Sequence, residues 1–201
     1  MLPSPFAPVS TTLNGEHVTL PPLSVDHAAD LFAAGRDDAT WLYMPRPVLR
    51  SVEDAESMIR QALVETEAGR EVAFAIVSRQ SGSAVGSTRF LDIQRDHRAI
   101  EIGWTWIGPD WRRTPVNIES KLLLLEHVFE RLGAHRVTLK TDARNLTSQR
   151  AIGRLGAVRE GVLRRHRVCW DGFVRDTVCY GILDREWPQI RERLAGFLAS
   201  R

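Results

Sequence analysis

The chain has 201 residues, of which 43% are hydrophobic and 26% charged, proportions typical of a single soluble globular domain. Its 27 basic and 25 acidic residues leave a formal net charge of +2, which favours neither a nucleic acid nor a membrane as partner. The N-terminus lacks a basic segment followed by a long apolar run, and no stretch approaches membrane-spanning length, so neither a signal peptide nor a transmembrane helix is predicted.

The first residues of the chain are predicted to lie outside the folded domain. Residues 1–14 carry prolines among small residues and are interpreted as a loose tail, so we expect a single domain over residues 15–201. A short strand is predicted at residues 17–23, and a short helix is predicted to begin at Ser24 or Asp26.

Residues 37–50 combine two prolines with clustered aromatic side chains, which favours a loop over a pocket rather than a regular element. Trp41 and Tyr43 would line this pocket, or they would simply anchor the loop to the core. The next predicted elements are a helix that begins after Ser51 and a hairpin of two strands, residues 74–79 and 84–94.

The middle of the chain begins with a predicted strand at residues 99–107, which alternates β-branched and aromatic residues with polar or small ones. The two sets are Ile100, Ile102, Trp104 and Trp106 on one side and Glu101, Gly103 and Thr105 on the other. Glu101 is therefore predicted to point to the face opposite the tryptophans.

A basic turn, Trp111–Asn117, follows this strand and leads into a helix that ends at Gly133. Thr114 is the predicted N-cap, with Pro115 at the first helical position. The first backbone N–H groups of a helix lack internal partners and bind phosphate, and Arg112 and Arg113 add positive charge. An ordinary capped helix explains this turn equally well.

The C-terminal third is predicted to contain a half-buried strand at residues 136–141 and a helix that Asn145 caps and Gly156 ends. A hairpin of residues 158–169 and 173–183 and a last helix complete the chain. The order of strands and helices indicates a mixed α/β domain built around one sheet.

Cysteine and histidine positions predict neither a disulfide nor a metal site. If Asp171 and Gly172 form a tight hairpin turn, Cys169 lies opposite Val174 and not opposite Cys179, which argues against a structural disulfide and fits a reducing cytoplasm. The six histidines show no metal-ligand spacing with each other or with the cysteines.

Several motifs in the same order carry a resemblance to a known family. They are EIGW at residues 101–104, the basic turn, Asn145–Ser148, Ala151–Ile152 and Leu155–Ala157. From Gly15 to Trp187 the chain resembles the GNAT superfamily of acetyl-CoA-dependent N-acetyltransferases. Asp176, Tyr180 and Trp187 fit the branch that acetylates N-termini of ribosomal proteins and the related enzymes of microcin C self-immunity.

The resemblance implies a mostly antiparallel sheet of about seven strands flanked by helices, with acetyl-CoA as co-substrate and no metal. The residues implied in cofactor binding are Trp106, Ile107, Arg112, Arg113, Thr114, Val116, Asn117, Asn145 and Ser148. One departure is clear: Pro115 and Asn117 stand where the family's pyrophosphate loop has glycine or alanine. Proline removes an N–H donor, and the added β-carbons hinder close approach of phosphate.

The resemblance also suggests catalytic groups. Glu101 is the candidate general base, because family members use a carboxylate at or near this position; the alternative is an ion pair with an arginine. Ser148 could donate a proton to the departing thiolate, although it could also be a plain surface serine. Tyr180 is the other candidate acid, and its alternative is a tyrosine buried in the core.

Trp104, with Trp41 or Tyr43, could stack on an aromatic part of the acceptor, as the microcin-type resemblance implies; the alternative is a core role. The expected acceptor is a small molecule or peptide with an α-amino group, and a homodimer is left open. A second function class is a non-catalytic binding or regulatory protein with a degenerate cofactor loop. Nucleic-acid binding through residues 164–167 is unlikely, because alternate residues of a strand point to opposite faces.

Overall fold

The computed structural model describes residues 6–200, and all structural statements below concern these residues. The strands are β1 (Leu13–Asn14), β2 (Val18–Leu20), β3 (Val72–Ser78), β4 (Ala84–Gln94), β5 (Ala99–Ile107), β6 (Arg136–Asp142), β7 (Val158–Val168) and β8 (Val174–Leu183). The helices are α1 (Ala28–Gly35), α2 (Asp38–Trp41), α3 (Val52–Glu67), α4 (Pro115–Glu126), α5 (Leu146–Leu155) and α6 (Trp187–Ala199).

Over the described part of the chain, eight strands form one mixed sheet in the order β1-β2-β3-β4-β5-β6-β8-β7. All neighbouring strands are antiparallel except β5 and β6. The prediction of a mixed, mostly antiparallel sheet flanked by helices is therefore confirmed. The count exceeds the predicted seven because of β1, a two-residue strand that the sequence pattern does not reveal.

The predicted loose tail is in part ordered against the domain. Phe6 is 4% exposed and belongs to the core, where the Arg98 guanidinium lies 5.7 Å from its ring centre. Leu13 pairs with Leu20 of β2. The tail prediction is thus wrong for these positions, because single apolar side chains found partners that the proline-rich composition does not indicate. Residues 1–5 of the predicted tail lie outside the described part.

The hydrophobic core consists of two clusters, one on each face of the sheet. Along β3, Phe74 contributes to the cluster beneath α4 and α6, whereas its neighbours Ala73 and Ala75 contribute to the cluster beneath α1 and α3. This alternation is the period-2 pattern of a strand that is covered on both sides. The central strands are consequently held rigidly between two helical layers.

A β-bulge in β5 changes which side chains share a face. Trp104 has φ of 50°, in the left-handed region, and the register between β4 and β5 shifts at this point. The extra residue reverses the alternation beyond it. Trp106 consequently packs in the cluster opposite that of Ile100 and Ile102, on the same face as Glu101. The prediction that Glu101 faces away from the tryptophans is therefore wrong.

A buried carboxylate ties α4 to the first hairpin. Glu119 is 5% exposed, and its oxygens accept the backbone N–H groups of Glu16, His17 and Val18 at 2.8, 2.7 and 2.7 Å. A β-carbon on Gly15 would lie 2.5 Å from the carboxyl carbon of Glu119, so this turn requires glycine. The hairpin and the helix therefore stabilise each other through one side chain.

The β7–β8 turn is one residue longer than predicted. Cys169 lies opposite Phe173, whose carbonyl accepts the Cys169 N–H at 2.8 Å, and not opposite Val174. Residues 170–172 form the turn, with the glycine at φ of 82°, so the register shifts by one. Cys179 lies further along β8, and both cysteines are free.

Candidate active site

The site is built around a gap in the middle of the sheet. The parallel strands β5 and β6 pair only where Ala99–Glu101 lies beside Arg136–Thr138. Beyond Glu101 they part: β5 continues beside β4, and β6 continues beside β8. Residues 102–107 therefore have a strand on one side only within the described structure, which leaves backbone groups of β5 open towards the gap.

Two helices begin at the same end of this gap. Each parting strand is followed by a loop and a helix, β5 by α4 and β6 by α5. Parallel strands end at the same edge of a sheet, so the N-termini of both helices lie at that edge. Their unpaired N–H groups and dipoles make the edge favourable for anions.

The N-terminus of α4 has fewer free donors than most helices. The Thr114 hydroxyl accepts the Val116 N–H at 3.3 Å, which confirms the predicted N-cap, and Pro115 has no N–H. Asn117 is the third residue of the helix, and its N–H has no intrahelical acceptor. These groups fit a phosphate, although with one backbone donor less than glycine at position 115 would provide.

The two arginines of the basic turn differ in conformation. Arg113 has φ of 62°, and this left-handed residue turns the chain into α4. Arg112 is exposed and donates to the Thr40 hydroxyl at 2.7 Å, with the Asp37 carboxylate 3.9 Å away. Its side chain therefore lies towards α2 in this structure. Phosphate binding by either arginine stays a prediction.

Asn145 and Ser148 lie at the start of α5, at the other side of the gap. The Asn145 side-chain oxygen accepts the Ser148 N–H at 2.9 Å, and Gly156 ends the helix at φ of 107°, as predicted. Because the oxygen is engaged in the cap, the amide nitrogen is the group that Asn145 could offer to a ligand. Ser148 is half-buried, and its role as acid stays a prediction.

Glu101 lies at the point where the strands part. It is 6% exposed and accepts a hydrogen bond from the Lys140 ammonium at 2.6 Å, while Asp92 is 3.8 Å from the same ammonium. The ion pair that was the alternative to catalysis is therefore present, with a lysine in place of an arginine. This pairing occupies one carboxylate oxygen and leaves the second oxygen for another donor.

The predicted substrate-binding aromatics separate into different environments. Trp41 is 1% exposed, packs with its ring centre 4.9 Å from that of Trp106, and donates its indole N–H to the Gly35 carbonyl. It anchors the loop to the core, so the prediction that it lines the acceptor pocket is wrong. Trp106, at 5% exposure, can offer a cofactor only its backbone groups. Ile107, the next residue of β5, is 8% exposed and can likewise offer a cofactor only its backbone groups.

Trp104 and Tyr43 are half-buried, and Trp104 belongs to the part of β5 that borders the gap. The Arg89 guanidinium covers the Trp104 ring at 4.3 Å from its centre, and Arg144 lies 5.6 Å from the Tyr43 ring centre. Each ring thus makes a cation–π contact with one arginine. Their contact with an acceptor stays a prediction.

Tyr180 is 5% exposed and belongs to the core cluster together with Val178 and Ile182 of the same strand. Leu139 lies opposite it on β6. Its position matches the alternative of a core tyrosine. The other two residues that suggested the family branch also have structural contacts: Asp176 accepts the Arg165 N–H at 2.7 Å, and the Trp187 indole donates to Glu130 at 2.8 Å.

Three cations near the gap were missed by sequence reasoning: the half-buried Lys140 and the buried Arg175 and Lys121. The sequence pattern puts Lys140 on the polar side of a predicted half-buried strand, and it puts Arg175 only within the predicted final hairpin. Which strands are neighbours cannot be inferred from periodicity, so nothing in the sequence indicated that the two would lie near Glu101.

Lys121 of α4 is the third. It is 6% exposed, and its ammonium nitrogen donates to the Thr105 hydroxyl at 2.7 Å, which itself lies 2.7 Å from the Thr88 hydroxyl. The contact lies beside the β-bulge of Trp104. Burial lowers the pKa of Lys121 to about 7.

We expect Lys121→Met to change how stability depends on pH. Between about pH 7, the folded pKa, and about 10.4, the ordinary lysine value, the unfolded chain holds a proton that the folded protein has released. Stability therefore rises with pH there, by up to about 1.4 kcal/mol per unit from this group. Chemical denaturation of both proteins at pH 7 and at pH 9 measures this dependence. From the lower to the higher pH, the free energy of unfolding should rise more for wild type than for the variant. An equal change in the free energy of unfolding in the two proteins would contradict the prediction.

The comparisons with known proteins agree with this architecture. Residues 17–158 match the family described as the acetyltransferase (GNAT) domain. The chain belongs to the GNAT family of acetyltransferases. It is 26% identical over 173 residues to the N-acetyltransferase YoaA of Bacillus subtilis (strain 168), itself described as uncharacterized, a match that covers 85% of this chain and 96% of YoaA.

Solved GNAT structures share the whole fold. A GCN5-related N-acetyltransferase from Brucella melitensis superposes with a TM-score of 0.90 at 28% identity, over 96% of this chain and 87% of the other. Mycobacterium smegmatis RimJ, solved in complex with CoA-disulfide, superposes with a TM-score of 0.80 at 23% identity, over 96% of both chains. The predicted family is confirmed, and the protein is an N-acetyltransferase.

Among residues 6–200, no helix has the length and apolar character that crossing a membrane requires. No group of three or more histidine, cysteine, aspartate or glutamate side chains in the same range is close enough together to hold a metal ion.

Proposed function

We propose that this GNAT enzyme transfers the acetyl group of acetyl-CoA to an α-amino group of an amino acid, a peptide or an aminoacyl nucleotide. The observation that carries the proposal is the gap between β5 and β6, which has helix N-termini at one edge and the ion pair of buried Glu101 with half-buried Lys140 at its inner end. One edge suits an anionic cofactor, and the inner end suits an amine that must lose a proton.

Within this proposal, acetyl-CoA supplies the acetyl group as a reactive thioester. The groups of the chain that would hold the cofactor are the first N–H groups of α4, the Arg112 and Arg113 guanidinium groups, the backbone of Trp106 and Ile107, and the Asn145 amide. Two helix N-termini and two arginines give these groups the charge that a diphosphate requires.

Glu101 is the proposed base, directly or through water, and the amine attacks the thioester carbon without a covalent enzyme intermediate. An α-amino group has a reference pKa of about 7.7–8.0, against about 10.4 for lysine. A single carboxylate is therefore an adequate base for an α-amino acceptor at neutral pH. The Ser148 hydroxyl is the proposed proton donor, and the burial of Tyr180 in the core disfavours that residue for the same role.

Acetyl-CoA-dependent thiol release tests the function. The acceptors are amino acids, short peptides and aminoacyl-sulfamoyl nucleotides, and the matched controls are peptides with a blocked N-terminus and a free lysine. We expect α-amino acceptors to be acetylated and blocked peptides to remain unmodified. Acetylation of the lysine peptides at equal rate would contradict the α-amino preference.

Calorimetry with acetyl-CoA tests the altered loop separately. The alternative from sequence, a binding protein with a degenerate loop, is favoured by the missing donor at Pro115 and the occupied N–H of Val116. We expect micromolar binding, because the remaining N–H groups of α4 have no intrahelical partner and two arginines directly precede them in the chain. No heat of binding at millimolar acetyl-CoA would support the alternative instead.

A further inference from the structure

Arg175 of β8 is a buried cation without a counter-ion. It is 8% exposed, its Nε donates to the Thr177 hydroxyl at 3.1 Å, and one terminal nitrogen donates to the Tyr43 carbonyl at 3.5 Å. None of the ion pairs among residues 6–200 includes it. Burying a charged group without an opposite charge is costly, so the unpaired state of this guanidinium requires an explanation.

The acidic groups near Arg175 are already engaged. Asp142 accepts two hydrogen bonds from the Arg144 guanidinium, at 3.0 and 2.7 Å, and a third from the Arg144 backbone at 2.9 Å. Glu101 accepts the Lys140 ammonium at 2.6 Å. The carboxylates therefore act on Arg175 through charge alone, without contact.

The remaining surroundings make the position more positive. Burial, and then the charge of Arg167, lower the pKa of Arg175. His166 shares the Thr177 hydroxyl with it, at 3.0 Å. The described side-chain nitrogens that are sealed without a partner belong to Arg89, Trp106 and His127. Arg175 is not among them, and only its Nε and one terminal nitrogen have hydrogen-bond partners, so its other terminal nitrogen is not sealed from solvent.

Its placement connects this cation to the proposed reaction. Arg175 and Cys179 lie on the same face of β8, and Cys179 is opposite Lys140, whose ammonium holds Glu101. Arg175 and Glu101 are therefore on the same face of the sheet. The hydrogen bond of Arg175 to the Tyr43 carbonyl joins it to the loop before α3, and Arg144 lies between the rings of Tyr43 and Phe173, 5.6 and 3.6 Å from their centres. The guanidinium thus lies where an acceptor would extend from the amine beside Glu101.

We propose that Arg175 binds an anionic group of the acceptor, a carboxylate or a phosphate, while the amine of the same molecule is acetylated beside Glu101. The inference rests on the proposed function and narrows it. Guanidinium groups bind both anions through paired N–H donors. A free amino acid carries its carboxylate, and an aminoacyl nucleotide its phosphate, close to the amine. The N-terminus of a long peptide carries neither there.

Matched acceptors and one substitution test the site. The acceptors are an amino acid against its carboxamide, and O-phosphoserine amide against serine amide, so that every acceptor keeps its α-amino group; the pair with the larger preference identifies the anion. We expect wild type to acetylate the better anionic acceptor at least tenfold more efficiently, in kcat/KM, than its neutral partner. Arg175→Met should abolish that preference by raising KM, and should leave the neutral acceptor within about threefold. Arg175→Lys should retain part of the preference.

Arg164→Met is the matched control, because Arg164 is an exposed arginine of β7. It should keep the preference, and thermal melting of each variant establishes that it is folded. Equal kcat/KM for anionic and neutral acceptors in wild type would overturn the proposal, as would an equal loss for both acceptors in Arg175→Met. Either result leaves acetyl transfer itself intact.

Binding of inorganic phosphate, measured by calorimetry with saturating coenzyme A present, separates the two proposals. We expect wild type to bind phosphate and Arg175→Met not to. If no amine is acetylated but this difference is found, the proposed function fails and the anion site stands. Equal phosphate binding by the two proteins would overturn the anion site.

Discussion

Replacement of Glu101 by glutamine is expected to lower kcat about 100-fold at pH 7. Glutamine keeps the size of the side chain but cannot accept a proton, and general base catalysis typically contributes between about 10² and 10⁴. Around pH 9 the loss should shrink, because an α-amino group with a pKa of about 7.7–8.0 is then largely unprotonated without help. Steady-state rates across pH 6.5–9.5 measure both effects.

The ion pair with Lys140 requires a control, because Glu101→Gln leaves the half-buried Lys140 ammonium with only the more distant Asp92 carboxylate, 3.8 Å away. A double variant, Glu101→Gln with Lys140→Gln, removes both charges. If Glu101 is the base, the double variant stays slow while its melting temperature recovers. If the pair is only structural, removing both charges restores the rate. Glu160→Gln, which breaks the surface ion pair with Arg136, should leave kcat within about twofold.

Replacement of Glu119 by glutamine is expected to cost about 2–4 kcal/mol of the free energy of unfolding. The carboxylate accepts three backbone N–H groups of the β1–β2 turn, and glutamine would turn an NH₂ donor towards some of them. Hydrogen bonds to a charged group contribute about 1.5–3 kcal/mol, and buried donors left unpaired add a penalty. For a protein of this size the melting temperature should fall by roughly 5–15 °C.

Glu126→Gln is the matched control for this substitution. Glu126 lies on the same helix, but it is about one-third exposed and its contact with Arg191 is long, at 3.9 Å. Such pairs contribute about 0–1 kcal/mol. Gly15→Ala tests the same contact from the other side, since its β-carbon would meet the carboxylate. We expect it to destabilise the protein similarly. If Glu119→Gln melted at the same temperature as wild type, the prediction would be wrong, because water would then satisfy the backbone N–H groups of the turn.

The elements that could be predicted are those whose signal is local. Strands β4 and β5 were predicted with the bounds that the structure shows, because their residues alternate and turns flank them. The caps of α4 and α5 were predicted from Thr114 and Asn145, since a cap depends on a side chain and the backbone two or three residues away. The family followed from motifs of the same short range.

The predictions that failed depend on contacts between distant residues. The bulge at Trp104 results from how β5 pairs with β4, so no alternation within β5 could show that Glu101 and Trp106 share a face. Trp41 is a loop residue by composition, yet it is buried because Trp106 offers it a partner from 65 positions further along the chain. Burial is a property of the neighbours and not of the residue itself.

The sequence by itself determined the α/β class, the caps of α3, α4 and α5, and the family, because periodicity, caps and motifs all act within a few residues along the chain. Only the tertiary structure decided that Glu101 pairs with Lys140, that Lys121 lies beneath the bulge, and that Arg175 has no counter-ion. Charges interact through space, so their partners depend on which strands lie side by side. That order is set by packing of the whole sheet between its helices.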